Sequence, residues 1–103
     1  MTEQIKIAVK RDKVIWRKHV LSRLLERGIK REEILEVIIK GEVIEEYTED
    51  RPCPSMLFFK VIKARPLHVV ISYDEVNKFV YIISAYEPSL DFFEDDFKTR
   101  IIK

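Results

Sequence analysis

RPLHVVISYDEVNKFVYIISAY, residues 65–86, decides the fold. Two runs rich in β-branched and aromatic residues flank the polar interruption Glu75-Val76-Asn77, which is the signature of a β-hairpin. Taking that interruption as a three-residue loop pairs Asp74 with Lys78, sets His68 opposite Ser84 and leaves Tyr86 diagonal to it. His68, Val70, Ser72, Ile82, Ser84 and Tyr86 then share one face. Leu67, Val69, Ile71, Tyr73, Phe79, Tyr81, Ile83 and Ala85 form the other, whose more continuous apolar area makes it the partner of the helices. His68 is thereby expected on the less covered face, and a slip of one residue would reverse the relative facing of the two strands.

The same composition extends upstream. Val43 to Tyr47 and Ser55 to Lys63 read as two further strands, separated by the turn-rich clusters Thr48 to Pro54 and Ala64 to Pro66. Before them the period is helical. Thr2 to Lys10 is read as a helix, although Ile5, Ile7 and Val9 also alternate like a strand. A second helix is expected from Asp12 through Val14, Trp16, Val20, Leu21 and Leu24 to about Arg27, closed by Gly28 with Ile29 behind it. Arg31 to Lys40 makes a third, with Glu32 and Glu33 in its first turn and Gly41 just past its end. The tail, Leu90 to Lys103, reads as a short helix or an irregular arm packed through Phe92, Phe93 and Phe97. The expected architecture is a single α+β domain, residues 1–103, with N-terminal helices on one face of a four-stranded antiparallel sheet.

Composition narrows the classes of function. Cys53 is the only cysteine, which excludes an internal disulfide and a Cys-rich zinc site and points to a reducing, cytoplasmic setting. No stretch approaches the roughly 20 apolar residues that span a bilayer, and no membrane partner is expected. Charged residues are 36% of the chain while Gln4 and Asn77 are its only side-chain amides, a composition resembling that of heat-adapted proteins. The net charge of +1 conceals a division: residues 1–31 hold ten Lys or Arg against three acids, a balance of +7, so the remainder sums to −6. A basic face of this size steers polyanions; the alternative is a solvated helix whose charges pair with the acidic half.

The candidate chemistry is modest. An imidazole is the side chain that ordinarily titrates near neutrality, so His68, with Arg65 at its strand's entrance and Tyr86 near the partner strand's end, is a candidate proton donor or acceptor around a phosphate. The alternative is a strand histidine satisfied by Ser84 or a backbone carbonyl. Arg100 offers a second guanidinium, and His19 stands one helical turn before Arg23 on the basic helix. His19, Cys53 and His68 have no short metal-ligand spacing, and there is neither a glycine-rich phosphate loop nor a nucleophile elbow. No metal or other cofactor is expected. Glu45 and Glu46 point to opposite sides of a strand and make a poor acid/base pair.

Trp16-Arg17-Lys18-His19 with Arg23 and Glu26-Arg27-Gly28-Ile29, Gly41 to Tyr47, Arg51 to Ser55, Arg65 to Val70, Tyr86-Glu87-Pro88 and Phe97 to Arg100 together resemble an uncharacterised family of small prokaryotic proteins. That family is in turn similar to the RelE-like toxins, small α+β ribonucleases that act without metals. The resemblance implies a toxin that cleaves mRNA, alone or on the ribosome, and a zinc-finger, helix-turn-helix antitoxin as partner. It implies attack of the RNA 2′-hydroxyl on the adjacent phosphate, with His68 or His19 as acid or base, Arg65 and Arg100 on the developing charge, and Tyr86 orienting the phosphate. Lys18, Arg23 and Arg27 would bind RNA. The acidic stretch from Glu42 to Asp50 departs from a basic toxin and must face away from RNA. The rival expectation is a non-catalytic module that keeps the fold and binds a protein.

Overall fold

The computed structural model describes residues 1–102, which form α1 (Thr2–Lys10), β1 (Val14–Trp16), α2 (Lys18–Arg27), α3 (Arg31–Lys40), β2 (Glu42–Tyr47), β3 (Ser55–Ile62), β4 (Arg65–Asp74) and β5 (Phe79–Tyr86). The strands make one sheet in the order β1-β5-β4-β3-β2. β1 runs parallel to β5 and the other pairs are antiparallel. The α+β class and the helical layer on one sheet face are as expected, whereas the sheet is five-stranded and mixed instead of four-stranded and antiparallel.

The fifth strand replaces the first half of the expected second helix. α1 closes at Lys10, Asp12 takes a left-handed φ of 59°, and Val14, Ile15 and Trp16 extend to pair with Val80, Tyr81 and Ile82. Three residues are too few to display a period of 2, and the apolar spacing of this stretch also fits a helix. α2 then ends as expected: Gly28 adopts φ 64°, and the Ile29 N–H bonds back to the Leu24 carbonyl while its side chain is buried. At the other helix–strand junction, Gly41 lies so close to the Val37 and Phe59 carbonyls that a Cβ would sit 2.3 and 2.6 Å from their oxygens. This contact presses the end of α3 onto β3.

The helices bury one face of the sheet. Ile5, Ala8, Val20, Leu24, Ile34, Val37 and Ile38 pack against Phe58, Ile62, Leu67, Val69, Ile71, Tyr73, Val80, Ile82 and Ala85 in one cluster. Truncating a side chain such as Phe58, wholly buried there, costs about 3–5 kcal/mol.

The hairpin corrects the expected register twice. Asp74 pairs with Phe79, because its carboxylate accepts the Val76 and Asn77 N–H groups and closes a four-residue loop. A β-bulge then leaves Ile83 without a partner, since Ile71 pairs with Ile82 but Val70 pairs with Ser84. His68 therefore faces Tyr86, not Ser84. Each change moves the register by one residue, so together they preserve the parity at His68: it shares its face with Val70, Ser84 and Tyr86, away from the helices. Between loop and bulge the parity is reversed. Tyr81 pairs with Ser72 on the outer face, and Ile82 joins the core.

Candidate functional site

The outer face holds a second, smaller enclosure. A bulge in β2 skips Ile44, so Glu42 pairs with Phe59 and Glu45 with Leu57, which brings both carboxylates to the side of the sheet that carries His68. The C-terminal arm, residues 90–100, closes over this surface and is irregular, with a single bridge between Phe93 and Arg100. Asp96 shapes it by accepting the Lys98 and Thr99 N–H groups and the Thr99 hydroxyl, bonds that hold its carboxyl at about 2. Lys98 then reaches Glu42 at 3.0 Å, and Arg100 grips Glu45 through two bonds of 2.7 and 3.0 Å while stacking on the Phe93 ring. Tyr47 donates its hydroxyl to the same Glu45 carboxylate.

His68 is sealed beneath this arm, with 0% of its surface exposed. The Phe93 ring stands edge-on at 4.6 Å between centroids, with Phe59 and Tyr86 on other sides. Its Nε2 lies 2.6 Å from the Phe97 carbonyl oxygen, which can only accept, so Nε2 carries the proton. In the neutral ring Nδ1 is then the acceptor for the Tyr86 hydroxyl at 3.4 Å. Burial pushes the His68 pKa below its ordinary value, outweighing the Phe97 carbonyl and Glu45, which pull it up; Arg100 lowers it further. Burial likewise raises Tyr86. The expected outward-looking imidazole is on the expected face, but the arm covers it.

An open site lies at the other side of β5. Because β1 ends at Trp16, its pairing with β5 stops at Ile82, and α2 flanks the strand from Ile83 to Ala85. His19, Arg23 and Arg27 project from successive turns of α2 into a groove of about 200 Å³ floored by Ile83, Ser84 and Ala85. All three side chains belong to exposed residues, and Lys18 is exposed at the start of the same helix. Arg27 donates one Nη1 bond of 2.7 Å to the Ala85 carbonyl, which fixes its guanidinium and leaves other N–H groups free to point outward. Among the described residues no carboxylate lines this groove. The acidic strand β2 is three strand spacings from β5, about 14 Å and beyond the Debye length of about 8 Å at physiological salt.

Arg65 stands apart from both sites. It donates to the Gly28 carbonyl at 2.9 Å and pairs with Glu33 at 3.3 Å and Glu87 at 3.7 Å, tying β4 to the α2–α3 junction. Of the residues expected around a phosphate, then, His68, Tyr86 and Arg100 gather in the enclosure, and His19, Arg23 and Arg27 gather in the groove. Among the described residues no group of three or more His, Cys, Asp or Glu is placed to hold a metal ion, and no helix is long and apolar enough to cross a membrane. Glu45, a poor acid/base partner for Glu46, gathers here with Tyr47 and the Phe97 carbonyl, none of which stands out in the sequence as a neighbour of His68. A bulge and an arm bring them to His68, and neither has a local signature beyond the aromatic residues of the tail.

A protein-family model described as a domain of unknown function, DUF4258, matches residues 16–87. The chain belongs to that family. The match takes in the groove and the His68–Tyr86 pair and stops short of the arm. Comparison with curated proteins and with solved structures gave no match.

Proposed function

We propose that this DUF4258 protein is the toxin component of a toxin–antitoxin pair: a RelE-like, metal-independent endoribonuclease that cleaves mRNA in the cytoplasm, with the α2–β5 groove as its phosphodiester site. The observation that carries this reading is the convergence of His19, Arg23 and Arg27 on one open groove that no carboxylate among the described residues lines. Arg23 and the free N–H groups of Arg27 bind the non-bridging phosphate oxygens, and Lys18 extends the basic surface. His19 takes the proton of the 2′-hydroxyl as its oxygen attacks phosphorus. The P–O5′ bond breaks, leaving a 2′,3′-cyclic phosphate and a 5′-oxygen that takes a proton from the imidazolium. The two guanidinium groups stabilise the added charge on phosphorus as it forms. His68, Tyr86 and Arg100 act behind this surface as a folded support.

A second reading is favoured by one observation. The arm closes the only histidine that a strand carries, as a scaffold would, and this suits a non-catalytic module that binds a protein partner. Incubating the protein with a long mRNA in a chelator, with and without ribosomes, distinguishes the two. The nuclease reading expects cleavage with cyclic-phosphate ends, lost in His19→Ala. No cleavage under either condition, together with no growth arrest on expression, leaves the binding module. A neighbouring gene for a zinc-finger, helix-turn-helix protein supports the toxin reading.

A further inference from the structure

Resting on the RNA reading, we infer that the recess between the Pro52–Pro54 loop and β5 is a nucleobase subsite, taking one unstacked base of single-stranded RNA beside the phosphate groove. The recess has a volume of about 250 Å³ and is lined in part by Arg17, Pro52, Ser72, Asp74, Tyr81 and Ile83. Its charge is unlike that of the groove. One guanidinium is balanced by one carboxylate, so a phosphate entering here meets the negative charge of Asp74 while an uncharged ring does not. Asp74 is held ionised by the N–H groups of Asn77 and Val76, which push its carboxyl below the ordinary range.

The walls suit a flat, heteroatom-edged ring. Tyr81 is half-buried on the outer face, and the Arg17 guanidinium lies over its ring at 5.6 Å from the centroid, so an entering base meets an aromatic ring with a cation beside it. Pro52 and Ile83 add apolar surface to the lining, and Ser72 and Asp74 add polar groups. Ile83, the bulged residue, lines both the recess and the groove, and Arg17 and His19 are two residues apart. A strand whose phosphate rests on Arg23 and Arg27 therefore has a neighbouring base within reach of Tyr81. A duplex keeps its bases in the stack and offers none.

The test is fluorescence anisotropy with a single-stranded RNA of about ten nucleotides, within the usual footprint of such sites, and with the same sequence as a duplex. Wild type should prefer the single strand. Tyr81→Leu should weaken single-strand binding about tenfold and leave the duplex unchanged, and Tyr81→Phe should bind like wild type. An abasic nucleotide walked along the RNA reads the same subsite without altering the protein, and one position should reproduce the loss. Unchanged single-strand affinity in Tyr81→Leu, or no sensitive abasic position, overturns the subsite while the groove stands. If wild type binds neither RNA, or Arg23→Ala binds both as well as wild type, the groove reading itself fails.

Discussion

The two histidines occupy opposite settings on either side of β5. His68 has both ring nitrogens committed, three aromatic rings around it and no exposed surface. His19 belongs to an exposed turn of α2, with two arginines on the following turns and a groove in front of it. The difference separates two things an imidazole does in a protein. A buried ring that is neutral and doubly hydrogen-bonded organises its surroundings, whereas an open one beside cations can meet an anionic substrate.

The sharpest way to break this contrast is to remove each ring in turn. His19→Ala should lower RNA cleavage by about 10²–10⁴-fold with little change in the urea midpoint. His68→Ala should do the reverse, costing about 3 kcal/mol of stability, because it opens a cavity and strands the Phe97 carbonyl and the Tyr86 hydroxyl. If the residual folded His68→Ala protein loses cleavage as completely as His19→Ala, the division of roles is wrong. Arg23→Ala combined with Arg27→Ala should weaken single-stranded RNA binding about tenfold or more, and should reduce the dependence of log affinity on log salt by about 1.4, the value for two phosphate contacts.

Smaller effects refine the enclosure. Arg100→Ala removes the two bonds to Glu45 and the stack on Phe93, but its side chain is 54% exposed, so solvent screening limits the loss to about 0.5–1 kcal/mol. Denaturation as a function of pH should show the least. Burial holds His68 below its ordinary value of about 6.5, so as pH falls through that value the unfolded chain takes up a proton that the folded one refuses. Stability from this group is complete above about pH 6.5 and is lost progressively as pH falls toward the folded-state value. His68→Gln should lack that part of the acid slope. An unchanged slope would mean that the ring is hydrated in solution.

Much of the sheet was legible because strands β2 to β5 are built from β-branched and aromatic runs bounded by turn clusters, signals that are local. β1 was not, because Val14-Ile15-Trp16 extends only by virtue of its pairing with Val80, Tyr81 and Ile82, more than sixty residues away. The candidate residues were legible as types and less so as groups. Arg23 and Arg27 share a helix face with His19 by spacing alone, and the structure places all three in the groove. Arg65 lies three residues before His68 in the same strand, yet its partners Glu33 and Glu87 draw it elsewhere. Glu45 reaches the His68 side through a bulge that nothing in Val43-Ile44-Glu45 announces. The arm's cover over His68 is a tertiary contact, and only Phe93 and Phe97, aromatic among acids, hinted at it.

The unpaired residue in β5 sets how this strand tolerates insertion and deletion. Excising Ile83 would leave the hairpin loop untouched and let Ile82 and Ser84 follow one another opposite Ile71 and Val70, so the ladder would become regular with every side chain on its present face. Ser84 and Tyr86 would keep the outer face and Ala85 the core, so a single codon can be lost at the bulge, where one added to the paired strand beyond it would turn each following side chain to the opposite face.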